Sequence, residues 1–116
     1  MSLTKKLALA RGDKLRVLGK PANVAVDDAV MTRSAKETAL LVFVRTRDEL
    51  DDVCEIVADV CRSGGPTWIA YPKAGQLDTD LSRDVIRRYM LKYYIVCVGQ
   101  IAIDPIWSAM RFRAKR

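Results

Sequence analysis

The stretch that decides the fold is Ala39-Leu40-Leu41-Val42-Phe43-Val44-Arg45-Thr46-Arg47-Asp48-Glu49-Leu50. Its first six residues are all apolar, and a polar turn follows at once. An apolar run of that length, with no alternation, suits a central parallel strand covered on both faces. Thr46 and Glu49 have the spacing of a capping box, in which each side chain bonds the other residue's backbone N–H. Leu50, Val53, Cys54, Val57, Val60 and Cys61 then recur at helical intervals and make one apolar stripe. Asp48, Glu49, Asp51 and Asp52 place negative charge at the positive end of the helix dipole. The helix expected over residues 48–62 stops at Ser63-Gly64-Gly65-Pro66.

Working outward, residues 67–71 read as a strand closed by Pro72, and residues 73–79 as a polar loop containing Gly75. Asp80 or Ser82 caps a second helix ending near Lys92, with Leu81, Val85, Ile86, Tyr89 and Met90 as its stripe. Residues 94–103 form a strand with an irregularity at Gly99; Asp104-Pro105 turns the chain, and residues 106–113 return. Upstream, residues 14–18 alternate polar and apolar, and outward Lys14 and Arg16 mark an edge strand. Residues 3–11 suit a short helix, and residues 24–30 one helical turn. Strands alternating with helices imply a parallel sheet with right-handed crossovers, and the closing hairpin adds an antiparallel strand. The expected fold is a small α/β sandwich, a single domain over residues 1–116, with a mostly parallel five-stranded sheet closed by an antiparallel C-terminal hairpin.

Composition narrows the chemistry. Half of the 116 residues are apolar and 29% are charged, as in a folded soluble protein. There is no histidine, which removes Ser-His-Asp and Cys-His catalysis and every His-ligated metal site. Cys54, Cys61 and Cys97 lack metal-ligand spacing and read as small core residues of a reduced, cytoplasmic protein. No apolar run approaches the roughly 20 residues that span a bilayer, so no membrane association is expected. Asp27-Asp28 is a weak metal signal, because adjacent residues rarely converge on one ion. No cofactor motif is present.

The formal net charge is +6. Residues 83–116 carry eight basic residues (Arg83, Arg87, Arg88, Lys92, Arg111, Arg113, Lys115, Arg116) against Asp84 and Asp104, so the whole excess lies there. Such a third suits an anionic small molecule, an acidic protein or nucleic acid, or else is a solvated basic face. In the last strand, Trp107, Ala109, Arg111 and Arg113 share one face, and Ile106, Ser108, Met110 and Phe112 the other. Arginine beside tryptophan is a nucleic-acid pattern. An aromatic on each face is better explained by a strand packed on both sides.

Two resemblances follow from these elements. From Ala39 onward, the series strand, helix, Gly-Gly turn, strand, helix and closing hairpin resembles the C-terminal half of a class I methyltransferase. Only Gly19 stands where that fold's cofactor loop carries several glycines, so the resemblance implies shape without the cofactor chemistry, and S-adenosylmethionine is not expected to bind. More narrowly, Phe43-Val44, Trp68 to Lys73, Thr79 to Asp84 and Ala102 to Arg113 resemble the uncharacterised bacterial domain-of-unknown-function family 3052. Met110 stands there where leucine is usual. That likeness implies a fold and no established activity.

In open parallel sheets, ligands sit beyond the carboxyl ends of the strands. Residues 19–23, 45–46 and 71–76 should lie there. Lys73, Arg83, Arg45 and Tyr71 are the candidate residues of an anion or ligand site, with the N-terminus of the helix after Ser82 as a further attraction. The competing reading is a salt-bridged loop in which Asp80, Asp84 or Asp104 neutralises Lys73 and Arg83. No catalytic constellation is marked. The sequence therefore favours a non-catalytic, methyltransferase-like binding or interaction module, as a monomer or weak homodimer. The alternatives are a small enzyme or nucleotide- or anion-binding protein using the cleft near Lys73 and Arg83, and a nucleic-acid binder through the basic last third.

Overall fold

In chain order the elements are α1 (Leu3–Lys6), β1 (Leu15–Leu18), β2 (Ala39–Phe43), α2 (Arg47–Arg62), β3 (Thr67–Pro72), α3 (Arg83–Leu91), β4 (Ile95–Ala102) and β5 (Trp107–Ala114). They are seen in a computed structural model that describes residues 3–7, 9, 14–26, 31–32 and 39–115. Much of the helix expected over residues 3–11, Asp27-Asp28 and the end of the turn expected over residues 24–30 lie outside the described residues.

The five strands form one sheet in the order β1-β2-β3-β5-β4. β1 pairs parallel with β2 and β2 with β3, whereas β5 is antiparallel to both β3 and β4. The sheet is therefore mixed. Four strands share a direction and β5 alone opposes them, yet only two of the four pairings are parallel. The reason is topological: the hairpin does not simply extend the sheet, because its second strand inserts beside β3 and leaves β4 at the rim. β1 lies at the opposite edge, as Lys14 and Arg16 suggest.

β2 is wholly buried, as its unbroken apolar run requires. Leu40, Val42 and Val44 point to one face with Ile69, Tyr71, Met110 and Phe112, where they meet Leu50, Cys54 and Val57 of α2 and Ile86 and Met90 of α3. Both long helices thus cover the same face. Leu41 and Phe43 point to the other, with Trp68, Ala70, Trp107 and Ala109, and there Leu7, Leu15 and Val24 complete a second core. Phe43 and Trp107 meet edge to face, centroids 5.2 Å apart. The Trp68 indole N–H donates to the Leu7 carbonyl at 3.2 Å, tying the N-terminal segment onto this face.

The caps refine the expectations. Thr46 is the N-cap of α2 and accepts from the Glu49 N–H at 3.2 Å. The Glu49 carboxylate turns to the Thr46 hydroxyl and to Arg45, so one half of the capping box is made. Ser82 caps α3, accepting from Val85 N–H. Asp80 serves a different helix: its carboxylate accepts from the Arg47 N–H at the start of α2, 2.9 Å away. Thr79 donates to the Arg45 carbonyl at 2.6 Å. Thr79 and Asp80 together clip the β3–α3 loop to the β2–α2 turn.

Candidate functional site

That clip shapes the carboxyl end of the sheet, where two clefts open. The first lies at the ends of β3 and β4, the start of β5 and the N-terminus of α3. Its volume is about 380 Å³, and Tyr71, Lys73, Ser82, Arg83, Asp84, Gln100 and Ser108 line it. Strand register builds the floor, since Tyr71 and Ser108 are direct partners across β3 and β5 and side chains of such a pair share a face.

A short relay organises the polar groups. Arg83 donates to the Gln100 amide oxygen at 3.0 Å, and the Gln100 amide nitrogen donates to the Tyr71 hydroxyl at 3.2 Å. Tyr71 is buried, and burial raises its hydroxyl pKa above the ordinary value against the opposing pull of Arg83. The hydroxyl keeps its proton at neutral pH and has a hydrogen left to donate. Ser108 is 6% exposed, and its hydroxyl makes no hydrogen bond to any described residue. No sealed side-chain oxygen or nitrogen among the described residues lacks a partner, so that hydroxyl opens to the cleft.

The salt-bridged loop is not what forms. Asp80 is engaged by the Arg47 N–H, Asp84 pairs with Arg87, and Asp104 accepts from the backbone N–H groups of Ile106 and Trp107. Each carboxylate is claimed by a neighbour in its own turn or by a helix terminus. Among the described residues, neither Lys73 nor Arg83 has a carboxylate partner within 4.0 Å. Asp84 also lines the cleft, with one carboxylate oxygen turned onto Arg87.

The second cleft, also about 380 Å³, lies beyond β1 and β2, with Gly19, Lys20, Phe43, Arg45, Glu49 and Trp107 among its lining. Arg45 is therefore separated from Lys73, Arg83 and Tyr71, which stand together. Its guanidinium lies 4.0 Å from Glu49. Lys20 is spent on the chain itself, donating to the carbonyls of Pro21 and Val24. Gly19 has φ +72°, and a Cβ there would sit 2.7 Å from the Phe43 carbonyl oxygen. That glycine closes the turn after β1 against β2.

Sequence reasoning missed Ser108 and Gln100. Ser108 carried a signal, as a polar residue on the face it shares with Met110 and Phe112. Gln100 carried none, since only the bulge between Cys97 and Gly99 sets its register.

The cysteines are structural. Burial raises the Cys61 thiol's pKa, and the Cys54 thiol and the Tyr93 hydroxyl share a hydrogen bond of 2.9 Å between α2 and the turn after α3. Cys97 is half-buried. No group of three or more potential metal ligands occurs among the described residues, and no described helix is long and apolar enough to cross a membrane. The basic third does not form one patch. Arg88 on α3 and Lys92 at its C-cap line a groove with Arg47 on the helical side of the sheet, whereas Arg111 and Arg113 alternate with Met110 and Phe112 and project from the opposite face. Trp107 is buried in the second core, not displayed beside those arginines.

Comparison of the sequence with protein-family models gives no match, and comparison with curated proteins gives none either.

Proposed function

We propose that this domain is a non-catalytic binding module that holds a small carboxylate- or phosphate-bearing molecule in the cleft between β3, β5 and α3. The observation that carries this reading is Ser108, a nine-tenths buried residue whose hydroxyl has no partner among the described residues and opens onto the cleft lined by Lys73 and Arg83. Two cations without carboxylate partners among the described residues, two hydroxyl donors and a helix N-terminus converge there, and an anion would engage all of them. The cleft offers mostly donors: its one carboxylate shares an oxygen with Arg87, and its tyrosine is held protonated. Binding follows from that inventory, and acid–base catalysis does not. The series of strand, helix, strand, helix and hairpin agrees with the methyltransferase-like scaffold implied by the sequence. Gly19 as the only glycine of the β1 turn supports a scaffold without that fold's cofactor loop.

Isothermal titration with inorganic phosphate and with citrate checks the proposal. Saturable binding is expected, weakened about tenfold or more by Arg83→Gln and by Ser108→Ala, since a hydrogen bond to a charged group contributes about 1.5–3 kcal/mol. Absence of binding at millimolar anion, or an affinity indifferent to both substitutions, refutes it.

A further inference from the structure

The second cleft differs in kind from the first. The first gathers hydroxyl, amide and charged groups on the helical face with Tyr71, whereas Phe43 and Trp107 place the second on the other side of the sheet. Among the described residues, Asn23 supplies its only uncharged polar side chain. Phe43 and Trp107, packed edge to face, close the floor, and half-buried Pro21 and Ile106 stand at the walls. A volume of about 380 Å³ suits one small molecule, near the lower end of the roughly 300–1,000 Å³ of ligand sites.

Leu77 completes the apolar lining from a strained position. Its backbone is left-handed, with φ +52°, and Asp78 follows at φ +51°. Leucine rarely adopts that region, because its side chain crowds its own backbone. The clip made by Thr79 and Asp80, immediately downstream, holds the loop in place. Yet Leu77 joins neither core and stays 47% exposed at the cleft. Core packing therefore does not account for the strain, whereas presenting an apolar side chain to a ligand does.

The charges of the cleft select an anionic head. Arg45 stands 4.0 Å from Glu49, beyond hydrogen-bond reach, and its guanidinium donates to no other group of the chain. Lys20 is held by the carbonyls of Pro21 and Val24 but keeps its charge and the third of its N–H groups. Glu49 is the one acid in the lining, and its carboxylate already accepts from the Thr46 hydroxyl. Two cations thus face one acid beside an apolar wall. We propose that the second cleft binds a small organic acid with an apolar body about the size of a phenyl ring, its carboxylate taken by Arg45 and its body covering Leu77 and Ile106. This site lies apart from the anion site of the first cleft and does not depend on it.

The probe is phenylpropanoate, titrated into the full chain by calorimetry and followed by amide chemical shifts. Saturable binding is expected, with shifts at Gly19, Arg45 and Leu77. Phenylpropylamine, with the same ring and the opposite charge, should not bind, and propanoate should bind at least about tenfold more weakly for want of the ring. Arg45→Gln, at an exposed position, should weaken phenylpropanoate at least about tenfold. Leu77→Gly suits the left-handed backbone, so the melting temperature should not fall, while affinity should drop at least about fivefold with the lost apolar contact. Absence of binding, equal affinity for the amine or for propanoate, or indifference to both substitutions overturns the proposal. So do shifts confined to Lys73, Arg83 and Gln100, which would place the acid in the first cleft.

Discussion

Trp68 joins the sheet to the N-terminal segment across 61 residues of sequence, and truncating it tests how the second core is closed. Its side chain is 3% exposed, between Leu7 and the β2 and β5 side chains of that face. Trp68→Ala removes a large buried ring and leaves a cavity on the side that neither α2 nor α3 covers, at a cost of about 3–5 kcal/mol. A domain of this size is stable by about 5–15 kcal/mol, so about a fifth or more of the stability should go. With a urea dependence of about 1–3 kcal/mol per molar, the unfolding midpoint should fall by about 2 M. Trp68→Phe separates the terms: it keeps an aromatic ring but leaves the carbonyl of the fully buried Leu7 without its donor, which costs about 1–3 kcal/mol. Urea unfolding followed by far-ultraviolet circular dichroism measures both. Exchange at the Leu7 amide, which bonds the Leu3 carbonyl, should quicken in the alanine variant before global unfolding. Unchanged midpoints in both variants would refute the reasoning, because the N-terminal segment would then not close the core.

Gly19→Ala should destabilise by about 1–3 kcal/mol in thermal unfolding, because the new Cβ meets a backbone oxygen at positive φ; a neutral result would mean that the β1 turn relaxes. Asp80→Ala should cost about 0.5–2 kcal/mol by leaving the first N–H of α2 uncapped, whereas Asp80→Asn should recover most of that loss in the same assay. Tyr89, bonded to Asp51, and Tyr93, bonded to Cys54, have their pKa values raised to about 12 by those hydrogen bonds. A raised pKa means that the folded state holds the proton more tightly, so this stabilisation is complete below pH 10 and is lost as the pH climbs to about 12. Ultraviolet titration should show Tyr89 and Tyr93 ionising late, beside the buried Tyr71, and Tyr89→Phe should remove one of the three.

Sequence alone determined the elements whose information is local. The apolar run at β2, the stripe of α2 with Thr46 at its head, the edge character of β1 and the Gly99 irregularity all rest on periodicity or on single-residue conformational preference. These act over a few residues and survive without knowledge of neighbours. The same holds for the placement of Tyr71, Lys73 and Arg83 near one another, because β3, its loop and the start of α3 are adjacent in the chain. Pairings between distant residues were decided only by the tertiary structure. Insertion of β5 beside β3 made the sheet mixed, set Ser108 opposite Tyr71 and left β4 at the rim. Asp80 reached back 33 residues to cap α2, while Asp84 and Asp104 were claimed by Arg87 and by backbone N–H groups, which left Lys73 and Arg83 without those acids. The basic third divided between two faces because strand alternation and helix packing send neighbouring charges to opposite sides of one sheet. Charge and polarity are written in the sequence, but the partner that each group meets depends on which strands lie side by side, and that is fixed by burying both faces of the sheet at once.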